Sequence, residues 1–281
     1  MTLPQWQLTK ISTGQWLVAL AAIALVSWGA GFFHNWPPLA ALGAGLLVYA
    51  AARRLSSGER GLLLMLAGGA AALGMVAVWL LAGERNPYPA SAINPNALAA
   101  IILLALPSLP LLGIGLFLTG SRAALGAGLV WVLADMRAMF SRRVFVGALV
   151  VAVGLVAAML VARPETIAAR VAVWQEAARL VERHPVWGVG YGNYAHYAHV
   201  ERGKIHADSL PITFLAEMGL VGGGAALAIV AAIARRVVVG RAAPAIKWGL
   251  LLFALQSLVD HPAANVIVLP VLMIALAEVE A

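Results

Sequence analysis

Residues 61–83 read GLLLMLAGGAAALGMVAVWLLAG, a run with no charged, amide or proline residue in it. A helix needs about 20 apolar residues to cross the hydrocarbon core of a bilayer, and this run is long enough. Its hydrophobicity is continuous rather than alternating, so it reads as a membrane helix and not as a barrel strand, whose period is two. Asp, Glu, Lys and Arg are also absent between Lys10 and Arg53, from Asn86 to Ser121 and from Val144 to Ala162. Each window holds one or two further spans.

The whole chain follows suit. Of 281 residues, 62% are hydrophobic and 11% charged, against roughly 25% charged in a soluble domain. The expectation is an all-α, polytopic transmembrane helical bundle of about nine or ten membrane segments, forming a single transmembrane domain over 1–281. The first apolar stretch, from about Gln15, runs straight into further spans and reads as a signal anchor. Cysteine is absent, which excludes a disulfide framework and thiolate chemistry. The net charge of +7 falls largely in short loops, as on a solvated cytoplasmic face, and implies no nucleic acid.

Those loops set the orientation. Arg53, Arg54 and Arg60 form one basic loop, Arg137, Arg142 and Arg143 a second, and Arg235, Arg236, Arg241 and Lys247 a third. All three belong inside by the positive-inside rule. Spans at 15–33, 37–52 and 61–82 satisfy it with the N-terminus inside. The stretch 97–136 satisfies it only if Pro107-Ser108-Leu109-Pro110 turns the chain, giving two short helices or a re-entrant pair and leaving Thr119 to Arg122 outside. Spans at 144–161, 210–234, 246–259 and 262–277 complete the bundle, with the C-terminus inside and all six histidines on the outer side.

Polar residues concentrate in one long outer loop, 163–208. In its first part, about 165–183, Ile167, Val171, Trp174, Ala178 and Val181 recur at helical spacing, as on an amphipathic helix at the membrane surface. Pro185 and Gly188, Gly190 and Gly192 then open an irregular segment. No strand precedes these glycines and no Gly-Lys-Ser follows, so they are turn residues and not a phosphate loop. His196, His199, His206 and Asp208 could ligate a metal, but no fixed zinc spacing is present.

Six short patterns occur in order: Asn94-Pro95-Asn96-x-x-Ala99; Thr119-Gly120-Ser121-Arg122; Arg170-x-x-x-Trp174; His184-Pro185-x-x-Gly188-x-Gly190-x-Gly192-Asn193; His206-Ala207-Asp208-Ser209; and Glu217-Met218-Gly219-x-x-Gly222. Ser257-Leu258-Val259-Asp260-His261-Pro262 closes the series. Together these resemble the O-antigen ligase and O-antigen polymerase family over roughly residues 90–278. The resemblance implies a glycosyltransferase of the bacterial inner (cytoplasmic) membrane, working on the periplasmic face. Its donor would be an undecaprenyl-diphosphate-linked glycan, and its acceptor lipid A core, another glycan or a protein hydroxyl. The family is thought to need no metal, and no cofactor is implied.

Carried over position by position, Arg122 and Arg170 match the family's diphosphate-binding arginines. The chemistry agrees, because guanidinium offers a planar fork of donors to phosphate oxygens. The usual pattern for the base is His-Ala-His-Asn, with the second histidine catalytic. Here Asp208 and Ser209 stand in the last two places. Either His206 has taken the role, or Asp208 is the base, or the protein is inactive. Asn96, Trp174, Glu217, Asp260 and His261 are supporting candidates, Glu217 as a charge partner for an arginine or a complement to a helix dipole. Two other classes compete: a non-catalytic polyprenyl-diphosphate binder, and a transporter. The transporter would normally show mid-span ionisable residues and two related halves, and the sequence shows neither.

Overall fold

Pro107 and Pro110 break the apolar run 97–118 into two short helices, because proline removes a backbone donor and clashes with the preceding turn. In the computed structural model, which describes residues 11–30, 37–82, 94–161, 164–198, 207–265 and 267–279, these are α4 (Pro95–Ala105) and α5 (Leu112–Thr119). Before them come α1 (Thr13–Ala30), α2 (Pro37–Ala52) and α3 (Ser57–Ala82). After them come α6 (Arg122–Met139), α7 (Arg142–Val161), α8 (Pro164–Arg183), α9 (Tyr194–Tyr197), α10 (Leu210–Val239), α11 (Pro244–Ser257) and α12 (Val268–Glu278). No strand occurs among the described residues. The protein is all-α, and Thr13–Ala30, Ser57–Leu80 and Leu210–Val239 are each long and apolar enough to cross a membrane.

The half-length helix α4 forms the centre. Every residue from Ala97 to Leu106 is buried, as expected of a helix that is apolar all round, and it packs against α3, α5, α6, α11 and α12. Asn94 caps it, its Oδ1 accepting the N–H of Asn96 at 2.8 Å, with Pro95 in the first turn. Small residues allow close packing. A Cβ on Gly68 would lie 2.5 Å from that of Ala105, and one on Gly249 would lie 2.3 Å from the Leu104 carbonyl oxygen.

Contacts at the helix ends show which ends lie together. The Gln256 side-chain amide, near the end of α11, donates to the Asn96 carbonyl at the start of α4, at 3.0 Å. The Trp79 indole, near the end of α3, donates to the Leu118 carbonyl, near the end of α5, at 2.8 Å. The hairpin of α4 and α5 therefore enters and leaves at one end of the bundle, which brings Asn96 and Arg122 to that end. At the other end, Arg60 Nε meets Glu278 Oε2 at 2.5 Å, both side chains buried. Arg60 Nη1 also reaches the carbonyls of Ala52 and Leu55, and the Ser57 hydroxyl donates to the same carboxylate.

Four features of the structure depart from what the sequence predicts. Arg60 is a buried ion-pair partner in the first turn of α3 and not a solvated loop charge, because Glu278, remote in sequence, supplies the countercharge. Helix α10 is interrupted at Gly219 (φ 69°, ψ −171°) where a loop inserts against it. The last helix starts at Val268 because Pro262–Ala264 forms a 3-10 turn and Asn265 accepts the N–H groups of Ile267 and Val268. Finally, α8 buries Val173, Ala177 and Leu180, while Val171 and Ala178 are exposed. Its buried side faces α10 and Tyr194, a rotation set by tertiary packing.

Candidate active site

The segment after α8 folds through backbone conformations that favour glycine: Gly188, Gly190 and Gly192 have φ of 67°, 94° and 78°. It lies directly on the break in α10. Val189 N–H donates to the Ala216 carbonyl at 3.1 Å and Gly190 N–H to the Glu217 carbonyl at 2.8 Å. Leu220 N–H donates to the Pro185 carbonyl at 2.7 Å. The two backbones approach so closely that a Cβ on Gly219 would sit 2.3 Å from the Val186 carbonyl oxygen. The break in α10 thus frees backbone groups that the loop then satisfies.

The Glu217 side chain completes the joint. Its carboxylate is buried and accepts the backbone N–H of Gly192 at 2.9 Å and of Tyr194 at 3.2 Å. Ser27 of α1 donates its hydroxyl to the Glu217 carbonyl at 2.9 Å and to that of Trp187 at 3.2 Å. Tyr194 is fully buried, with its hydroxyl on the Val173 carbonyl at 3.1 Å. Burial first, and then the negative charges of Glu176, Asp208 and Glu217, push its phenol above the ordinary range. Tyr194 therefore stays a neutral donor and fastens α8 to α10.

That scaffold positions three charged side chains from three parts of the chain. Arg170 lies on α8. Asp208 lies just before α10, held at φ 50°, a left-handed conformation that aspartate tolerates better than most residues. Ala207, Ser209 and Thr213 are all buried around it; the Thr213 hydroxyl donates to the Ser209 carbonyl at 2.8 Å and accepts from Ala207 N–H at 3.3 Å. Asp260 follows α11. Burial pushes its carboxyl above the usual aspartate value; the His261 N–H opposes that, the Asp208 charge adds to it, and Arg170 and the Gln256 side chain pull it back. Asp260 Oδ1 accepts His261 N–H at 2.8 Å, while its buried Oδ2 has no hydrogen-bond partner among the described residues.

An apolar cavity of about 520 Å³ opens beside this cluster. It runs between α1, α2, α10, α11 and α12, with Tyr191, Ser257 and His261 toward one end and Lys247 and Trp248 toward the other. The His261 ring packs edge-on against Phe214, centroids 6.5 Å apart. The Tyr191 phenol is pushed above its ordinary range by burial and then by Glu217.

The other residues picked out in the sequence lie as follows. Trp174, one turn beyond Arg170, has a buried indole N–H with no partner among the described residues. Arg122 opens α6 and is half-buried, reaching the same end of the bundle by another route. The Asn96 carbonyl accepts the Gln256 side-chain amide, one turn of chain before Asp260, at 3.0 Å. The described partners of the Glu217 carboxylate are backbone N–H groups. His206 lies outside the described residues, as do His34 and His199. Among the described residues no group of acidic or histidine side chains is arranged to hold a metal. Gln256, fully buried, is not singled out by the sequence; its signal is an amide following the apolar run 248–255 of α11, four residues before Asp260.

A helical bundle with three helices long and apolar enough to cross a membrane, and with charged side chains near one mouth of an apolar cavity, defines an all-helical membrane protein with a candidate polar site. The family model described as O-antigen ligase matches residues 107–228, and over that segment the chain is similar to the O-antigen ligases, which are glycosyltransferase-like enzymes. The match contains Arg122, Arg170, Trp174, His206, Asp208 and Glu217; Asn96, Gln256, Asp260 and His261 lie beyond it. No curated protein matches the chain.

Proposed function

We propose that this protein transfers a glycan from an undecaprenyl-diphosphate carrier to an acceptor hydroxyl at the periplasmic face of the bacterial inner membrane. The observation that carries this reading is the convergence of Arg170, Asp208 and Asp260 beside an apolar cavity, next to the O-antigen ligase segment. A polyprenyl diphosphate has an apolar tail and a doubly charged head, and the cavity and the adjacent arginine match those two parts. The Trp174 N–H, without a partner among the described residues, lies on the same face of α8 as Arg170 and offers a further donor to a phosphate oxygen.

In the proposed step the acceptor oxygen attacks the anomeric carbon of the donor glycan. The bond from that carbon to the diphosphate oxygen breaks, and the electron pair leaves with the diphosphate. Arg170 and Arg122 bind the leaving group's growing charge, a transition-state interaction of the kind that dominates many enzyme rates. The acceptor's proton passes to Asp208, with His206 the alternative base and Asp260 beside Asp208 to share the proton. Asn96, Trp174, Glu217 and His261 support the site, and both termini are placed in the cytoplasm with 163–208 as the periplasmic loop.

The test is complementation of strains lacking O-antigen ligase or polymerase, with surface glycan examined on gels. Restored capping or laddering that Arg170→Ala and Asp208→Ala abolish supports transfer and identifies the acceptor class. Purified protein that retains a polyprenyl diphosphate in every variant yet never transfers glycan would make it a binder.

A further inference from the structure

Leu220 N–H donates to the Pro185 carbonyl at 2.7 Å and Val221 N–H to the Val186 carbonyl at 3.3 Å, so the loop after α8 runs level with these two residues of α10. A Cβ built on Gly222 would lie 3.8 Å from the Trp187 ring, which places that ring at the same level. Four large apolar side chains are open to the surroundings here: Val186 is 52% exposed, Trp187 41%, Leu220 58% and Val221 54%. The depth of this level follows from the far end of α10. Arg235 is exposed there, and a charge inside hydrocarbon is costly, so the hydrocarbon ends close to Ala234. From Ala234 back to Leu220 the helix is unbroken and rises about 21 Å at about 1.5 Å per residue. That is well short of the roughly 30 Å core. Tilting shortens the rise further, and snorkelling of Arg235 changes it only slightly. Leu220 and Val221 therefore lie inside the hydrocarbon, and the loop backbone bonded to them lies there too.

Irregular backbone is tolerated at that depth only where its polar groups find partners within the protein. The carbonyls of Pro185 and Val186 are taken by α10, and the Trp187 carbonyl accepts the Ser27 hydroxyl of α1 at 3.2 Å. The N–H groups of Gly188, Val189 and Gly190 reach the carbonyls of His184, Ala216 and Glu217, and Pro185 has no N–H to satisfy. We propose that Pro185, Val186 and Trp187 form a membrane-inserted turn: the polar loop dips into the bilayer beside α10, and the side chains of Val186 and Trp187 contact lipid tails. The exposed face of α10 continues across the turn, so one apolar surface meets the hydrocarbon. The loop that carries Arg170 and Asp208 is thereby pinned to the bilayer at one point. This inference stands whether or not the protein transfers glycan.

The chain has no cysteine, so single cysteines can be spin-labelled without background. Val186→Cys, Leu220→Cys and Gln175→Cys, each in the full-length protein reconstituted into phosphatidylcholine vesicles, are read by power-saturation electron paramagnetic resonance. Oxygen concentrates in hydrocarbon, whereas a water-soluble nickel chelate stays outside it; Gln175, exposed on α8, is the aqueous control. Oxygen collisions should dominate at 186 and 220, at similar depth, and nickel collisions at 175. Nickel dominance at 186 with oxygen dominance at 220 overturns the proposal; nickel dominance at 220 overturns it too, by removing the span on which the depth rests. Photolabelling of the unsubstituted protein with a phospholipid carrying a diazirine on its acyl chain tests the same point without a variant. Adducts on Val186 or Trp187 as well as on Leu220 or Val221 support the inserted turn, and adducts confined to α10 overturn it.

Discussion

The carboxylate of Glu217 on α10 accepts the backbone N–H of Gly192, inside the polar loop and 25 positions earlier, at 2.9 Å. A buried acidic side chain on a membrane helix is expensive, and here it receives two backbone donors of an irregular segment. The loop and the break in α10 are thereby one structural unit, and the site sits on it.

Glu217→Ala should destabilise the protein by about 2–6 kcal/mol, since a buried and a part-buried N–H group lose their acceptor and each such loss costs about 1–3 kcal/mol. Glu217→Gln, which keeps one carbonyl acceptor, should cost less. Thermal unfolding in detergent, with protease nicking of 185–198 as a local probe, checks this. Equal melting of Glu217→Ala and the parent would refute the clamp.

Gly219→Ala should be among the most damaging small substitutions in α10. The residue has φ 69°, and the new methyl would meet the Val186 carbonyl at 2.3 Å; conformational strain alone costs about 1–3 kcal/mol. Gly224→Ala is the control, because its Cβ meets nothing within 4 Å, and it should be neutral or stabilising by up to about 1 kcal/mol. Comparable melting of the two variants would contradict the inserted-loop geometry.

Glu278→Ala leaves the buried Arg60 guanidinium without its carboxylate and should cost about 3–5 kcal/mol. Replacing both partners by methionine should recover most of that loss, because the penalty arises from an uncompensated charge and not from lost attraction. A double variant no more stable than Glu278→Ala would show that packing, not charge, is what α12 supplies.

Asp260 gives a pH dependence whose sign follows from its raised carboxyl pKa. Below the ordinary aspartate value, about 3.9, both folded and unfolded chains hold the proton and folding is not penalised. As pH rises through the folded value, ionisation inside the protein is disfavoured and the penalty becomes complete. Asp260→Asn should therefore gain stability relative to the parent as the pH is raised above the ordinary aspartate value, about 3.9. A melting difference independent of pH would contradict the assignment.

What the sequence determined is what local chemistry can determine. Uninterrupted apolar runs admit only membrane helices. The Pro107 and Pro110 pair broke the run between Asn96 and Arg122 because proline acts on its own turn, and Gly188, Gly190 and Gly192 announced tight turning because only backbone freedom explains three glycines at that spacing. The order of short motifs pointed to the family that the segment 107–228 matches. Other features had no local signal. Glu217 looked like a charge partner for an arginine or a complement to a helix dipole, Arg60 like a solvated loop residue and Gln256 like nothing at all. Each is explained by a partner far along the chain: Gly192 and Tyr194, Glu278, and Asn96. A buried polar group must find its hydrogen bonds wherever the packing places them, so its identity is written in the sequence while its partner is decided only when the helices assemble. The proximity of Arg170, Asp208 and Asp260, from α8, the entrance to α10 and the turn after α11, is the same kind of fact: three residues with ordinary local surroundings come near one another only when their helices pack.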